Sequence, residues 1–297
     1  MSSYVLQQLV NGLTLGSLYA LVAVGFSLIY GVIRLVNFAH GDLMMIGAFV
    51  TLGLVATGYV PWVIIPLLVL VGGFLAGATI ERLAFRSIRN APMITGFIVT
   101  LAVSVALQNL GILLLGGQPR NFLFPEVFRA RVNLGPVQLG VIDLVIPAVT
   151  LLLALLLALL VKQTRLGLAM RALSENMLAA QLMGVSANRA VLAAFGLGGA
   201  LAAIAGFFWG GKFGQIDPLM GLVPGLKAFV ATIIGGVGSV MGAVVGGYIL
   251  GIAEVAFVGF TPPSWSGYRD GFVFVLMILI LLVRPQGLFG RDEEERA

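Results

Sequence analysis

TRLGLAMRALSENMLAAQLMGVSAN, from Thr164 to Asn188, is a polar interruption between two strongly apolar runs. It carries Arg165, Arg171, Glu175, Asn176, Gln181 and Asn188, while Met170, Leu173, Met177 and Leu182 recur at steps of three to five. That spacing predicts an amphipathic helix with one greasy face and one wet face. Such a helix is too polar to span a bilayer, so between two spanning segments it must form an elbow that lies at the membrane surface or presses against another protein.

The flanks set the class. Apolar residues fill 60% of the 297 positions and charged residues 10%, against about 45–50% and about 25% in soluble domains. Apolar runs of about 20 residues, the length of a membrane-crossing helix, recur from end to end. The expected fold is therefore all-α, a polytopic helical bundle of eight or nine membrane passages, with residues 1–290 as one membrane domain and 291–297 as a charged tail. The 40 glycines suit close helix packing in lipid, as in Gly12-x-x-x-Gly16, Gly73-x-x-x-Gly77, Gly242-x-x-x-Gly246 and Gly247-x-x-x-Gly251. With no cysteine and one histidine, thiolate metal sites are excluded and no metal or cofactor is expected. The +5 net charge sits in short loops and reads as membrane topology rather than nucleic-acid binding.

In chain order, Tyr4 to Ile33 is the first run and is too long for a signal-peptide core. Asn37-Phe-Ala-His-Gly-Asp42 opens the second, with Gly41 permitting a turn and Asp42 suited to a helix N-cap. The third run, Pro61 to Ile80, leads to Arg82, Arg86 and Arg89, and the fourth is Met93 to Leu115. Gly116 to Gly140 reads as an extramembrane loop. Val141 to Val161 and Arg189 to Trp209 flank the elbow. Pro224 to Phe260 is too long for one crossing and is broken at Gly235-Gly-Val-Gly-Ser239, so it reads as a short or re-entrant half helix followed by a full one. A last run ends at Arg284. Placing Arg34, Arg82 to Arg89, Lys162 to Arg189 and the tail in the cytoplasm lets nine passages alternate, with the N-terminus outside. The Arg120/Arg129/Arg131 loop then falls outside, against the bias.

No catalytic motif survives inspection. Gly206-Phe-Phe-Trp-Gly-Gly-Lys212 is close to a phosphate-binding loop, but Phe213 follows the lysine and no strand precedes it. Ala39-His-Gly-Asp42 lacks the second carboxylate that aspartyl proteolysis needs. Asp42 and Glu254 are the carboxylates nearest membrane depth and are functional candidates on that ground. Their structural alternatives are a surface helix cap for Asp42 and a helix–helix hydrogen bond for Glu254. His40 reads as an interfacial packing residue.

Two stretches bring a family into view. Gly12 to Gly31 followed by Asn37, His40, Gly41 and Asp42 resembles the opening of the H-type permease subunit of bacterial branched-chain amino-acid ABC importers. Leu178-Ala179-Ala180-x-x-x-Gly184 resembles the Glu-Ala-Ala-x-x-x-Gly loop by which such permeases dock on their ATPase, with leucine in place of the glutamate. The resemblance continues through Gly235 to Ser239 and to Arg284-Pro-Gln-Gly287. It implies a multi-pass protein of the bacterial inner membrane, working with a second, distinct M-type permease, two cytoplasmic ATP-binding subunits and an external solute-binding protein. It also implies coupling to the ATPase through Arg171, Ala172, Glu175, Asn176, Ala179, Ala180 and Gly184.

The residues by themselves describe a polytopic helical protein with a cytoplasmic amphipathic elbow and no energy-coupling chemistry of its own, which needs a partner to do work. A proton- or sodium-coupled carrier would show several intramembrane carboxylates or matched broken helices, and a channel remains a third class. Urea and short-chain amides compete with leucine, isoleucine and valine as cargo. The expected pathway is a stripe of Asn11, Gly12, Thr14, Gly16 and Ser17 facing the break at Gly235, Gly236, Gly238 and Ser239.

Overall fold

The computed structural model describes residues 2–89, 91–134 and 137–290; the expected tail, 291–297, lies outside the described residues. The long helices are α1 (Ser2–Ile33), α2 (Asp42–Thr57), α3 (Ile65–Ile80) and α4 (Met93–Leu115). After a short α5 (Glu126–Arg129), α6 (Val141–Gln163) runs to the elbow, which comprises α7 (Arg165–Glu175) and α8 (Met177–Leu182). Then follow α9 (Ala187–Phe213), α10 (Leu222–Gly235), α11 (Val240–Phe260) and α12 (Arg269–Val283). Among the described residues, eight helical stretches are long and apolar enough to cross a membrane, and the 14-residue α10 is a shorter apolar helix.

Pro224 to Phe260 breaks where the sequence indicates. Gly236 and Gly238 adopt φ of +101° and +85°, a left-handed backbone that side chains disfavour. Ser239 then caps α11, its hydroxyl accepting from the Gly242 N–H at 3.0 Å.

Two ends of the bundle are distinguishable. At one, which we call the mouth, the Tyr4 hydroxyl donates to the Gly259 carbonyl at 2.7 Å, bringing the start of α1 to the end of α11. At the other, the elbow end, the Leu288 and Phe289 N–H groups donate to the Ile234 and Gly235 carbonyls, both at 2.9 Å. Among the membrane-length helices, α1 and α9 are the most enclosed and α12 the least. Lipid supplies no hydrophobic drive between helices, so intimate small-residue packing substitutes for it. Antiparallel α1 and α11 show this: a Cβ on Gly12 would lie 2.9 Å from the Ile252 Cα, and one on Gly16 2.9 Å from the Tyr248 Cα.

The described residues of the connection from Gly116 to Gly140 are folded. Strand β1 (Arg120–Asn121) pairs antiparallel with β4 (Gln215–Ile216), and β2 (Arg131–Leu134) pairs with β3 (Val137–Gly140). Phe122 and Phe124 are buried, and the Phe124 ring lies 4.8 Å from that of Phe207 on α9. These contacts pin the segment over the mouth.

Candidate functional site

The segment after α1 does not stay at the bundle surface. From Arg34 the chain turns back, and His40 Nε2 lies 3.1 Å from the Val22 carbonyl. Val22 is eleven residues before the end of α1, roughly 16 Å along a helix rising about 1.5 Å per residue. Asn37, His40 and Asp42 are all buried. This corrects two expectations. Asp42 is not a surface cap: its side chain makes no cap hydrogen bond, and its Oδ1 accepts from Gln108 Nε2 at 3.0 Å. His40 is an interior group rather than an interfacial one. The physical reason is Gly41, which packs backbone to backbone on the start of α10, where a Cβ would lie 2.9 Å from the Gly225 Cα. Only glycine lets two helix starts meet this closely.

The expected pairing of the Asn11 to Ser17 stripe with the Gly235 to Ser239 break does not occur. The stripe packs on the middle of α11 and on the start of α6: Ser17 Oγ donates to Tyr248 Oη at 3.0 Å, and Thr14 Oγ1 donates to the Asp143 carbonyl at 3.4 Å. The break lies beside Gly31, where a Cβ would stand 3.5 Å from the Gly238 Cα. Fourteen residues of α1, roughly 21 Å of helix, separate Ser17 from Gly31. Sequence spacing located both features correctly within their elements but could not give their heights in the bundle.

Asn11 instead lines a cavity of about 820 Å³ at the mouth, with Gln7, Arg129, Asp143 and Lys212 among its other walls. Lys212 Nζ donates to Asp143 Oδ1, and the other carboxylate oxygen accepts from the Gly140 N–H at 3.2 Å. This pair was missed in the sequence. Its signal was a lone acid in the first turn of an apolar helix and a lone base at the end of another.

A second missed cluster surrounds Glu254. Lys227 Nζ stands 2.7 Å from Glu254 Oε1 and 2.7 Å from Asp270 Oδ1, and Tyr19 Oη donates to Glu254 Oε2 at 2.9 Å. Lys227 and Glu254 are each 3% exposed. Glu254 therefore does serve as a helix–helix partner, joining α1, α10, α11 and α12.

The elbow is two helices, not one. Asn176 leaves helical geometry at φ −152°, ψ 108°, and its Oδ1 accepts from the Ala179 N–H at 2.9 Å, capping α8. Asparagine competes for backbone donors in this way, which is why it favours caps over helix interiors. The apolar face divides accordingly. Met170 and Leu173 are buried in the chain's own bundle, whereas on and just after α8 Leu178, Leu182 and Met183 are 69%, 80% and 85% exposed. Leu182, expected on the greasy face with Met170, is thus turned outward. Of the proposed coupling residues, Ala180 is buried and Ala172 half-buried, while Arg171, Glu175, Asn176, Ala179 and Gly184 are exposed. Arg171 Nη2 donates to the Lys162 carbonyl at 3.3 Å, at the end of α6. Gly184 has φ +86° and open space where a Cβ would point. The elbow is fastened back by Arg89, which donates to Asn188 Oδ1 at 2.9 Å and pairs with buried Glu81 at the end of α3.

Residues 8–281 match the family described as branched-chain amino acid transport system, permease component. The chain belongs to that family. It is 37% identical to the high-affinity branched-chain amino acid transport system permease protein LivH of Escherichia coli, with 99% of this chain and 98% of that protein covered. It is 36% identical to the corresponding BraD of Pseudomonas aeruginosa, covering 98% and 97%. It is 31% identical to a probable LivH of Methanocaldococcus jannaschii, covering 93% and 90%. The permease is a transport subunit rather than an enzyme, and a multi-pass membrane protein.

Proposed function

We propose that this permease imports leucine, isoleucine or valine in the bacterial inner membrane, driven by ATP that separate subunits hydrolyse. The observation that carries the reading is the exposed apolar trio Leu178, Leu182 and Met183 on an elbow between two membrane-length helices. An apolar helix face of this kind is the counterpart of a hydrophobic groove. Its partner is a cytoplasmic ATPase, one of two. A second, distinct permease and an external solute-binding protein complete the assembly, and Arg34, Lys162 and the C-terminus face the cytoplasm. Arg171, Ala172, Glu175, Asn176, Ala179, Ala180 and Gly184 transmit the nucleotide-driven motion. The cargo assignment follows what the relatives' names describe. Reconstitution of the complete assembly in vesicles, with ATP-dependent uptake of labelled leucine compared against urea and acetamide, tests it. Leucine uptake is expected; urea uptake without leucine would sink the amino-acid assignment and leave the importer standing.

A further inference from the structure

The cavity at the mouth has a wall chemistry that the transport reading does not use. Its volume of about 820 Å³ falls within the roughly 300–1,000 Å³ of small-molecule sites. One wall carries the Lys212–Asp143 pair, side chains 26% and 9% exposed, and the pair therefore opens toward the cavity rather than being sealed in the bundle. Arg129 and Arg131 add two cationic groups to the lining, so positive charge exceeds negative there. Gln7 and Asn11 contribute amides from α1. Phe124, Phe128, Phe213 and Ile142 supply apolar surface.

A lysine and an aspartate already in contact, at the edge of an open cavity, are complementary to a molecule that carries its own carboxylate and ammonium on neighbouring atoms. Such a zwitterion replaces one internal ion pair with two, its carboxylate on Lys212 and its ammonium on Asp143, without leaving either protein charge alone. Charges that are never stranded avoid the cost that penalises broken pairs. The surplus arginines favour the carboxylate end, and the phenylalanines offer an apolar surface for a side chain.

We propose that this cavity is a reception site for free, apolar α-amino acids on the permease itself; the choice of ligand rests on the import reading above. The site selects by both charged ends together, so a compound lacking either end is a poor ligand. A permease with such a site takes part in recognition instead of serving only as a smooth passage.

The test uses the complete transporter in lipid nanodiscs without its solute-binding protein, with binding of labelled leucine competed by leucine, leucinamide and isocaproate. Leucinamide lacks the carboxylate and isocaproate lacks the ammonium. In the unaltered transporter each should compete at least tenfold less well than leucine. The double variant Lys212→Met/Asp143→Asn, which strands no charge, should lose at least tenfold in leucine affinity and treat all three compounds alike. Should that variant fail to assemble, Arg129→Gln, at an exposed position, should narrow the leucine-to-leucinamide ratio about threefold or more. Phe213→Ala, also at an exposed position, should weaken leucine more than alanine. Equal competition by the three compounds, absence of saturable leucine binding, or undiminished selectivity in the variants would overturn the site. So would a variant that loses affinity for the solute-binding protein while keeping leucine selectivity, since the mouth would then be a docking face. ATP-driven leucine uptake, measured in parallel in vesicles with the solute-binding protein restored, separates the two ideas: uptake without selectivity at the mouth sinks this site alone.

Discussion

Lys227 carries more of the bundle's integrity than any feature of its local sequence suggests. It sits five residues into α10, in an apolar run, and its ammonium is held by Glu254 and Asp270 while Tyr19 holds the other oxygen of Glu254. Removing Lys227 leaves buried Glu254 with only the longer contact to half-exposed Arg269, whose Nε lies 3.3 Å from Glu254 Oε1, so part of the roughly 3–5 kcal/mol cost of breaking a buried pair is expected. Lys227→Met is therefore expected to lower the thermal stability of the purified permease sharply, and Lys227→Met/Glu254→Gln to recover much of the loss. A single variant as stable as the parent in a thermal-unfolding assay would refute the account. Glu254 was legible as an intramembrane carboxylate, because one acid in an apolar run calls for a partner. The partner was not legible, since Lys227 lies 27 residues away on a different helix. The same limit hid Asp143 and Lys212: single charges announce themselves in a sequence, but pairs form through packing.

At the scale of elements, helix lengths and the Gly235 to Ser239 break followed directly from apolar run length and glycine content. The elbow was legible as polar and amphipathic, but not as two helices, because the capping preference of Asn176 competes with a helical pattern that continues through it. That break frees α8 to present Leu178 and Leu182 while α7 stays packed. Leu178→Asp/Leu182→Asp should leave the permease in the membrane at near-normal abundance, since both side chains are exposed and surface changes rarely exceed about 0.5 kcal/mol. It should abolish co-purification with the ATPase and reduce ATP-driven uptake at least tenfold. Retained co-purification would rule out α8 as the docking element. Gly184 needs a gentler probe than a bulky residue. At φ +86° any large side chain strains the backbone, whereas asparagine tolerates that region better; Gly184→Asn separates the turn from the contact.

For the whole molecule, the helix directions put the start of α1 and the β2–β3 hairpin at one end, and the elbow with Leu288 at the other. With the elbow cytoplasmic, single cysteines introduced into this cysteine-free chain at Tyr4 and Gly117 should react with an impermeant thiol reagent in intact cells. A cysteine at Arg165 should react only after the membrane is opened. Labelling of position 165 from outside would reverse the topology. The seat of Gly41 on Gly221 and Gly225 bears on how the protein is made as well as on how it packs. That seat is encoded about 180 residues further along the chain, so at about 5–20 residues per second the ribosome delivers it roughly 9–36 s after the Asn37 to Asp42 segment has emerged. During that interval the segment lacks its final lodging, and biogenesis of the N-terminal half waits on the C-terminal half. A nascent chain halted after Phe213 should leave a cysteine at position 40 open to alkylation, whereas the finished protein should shield it.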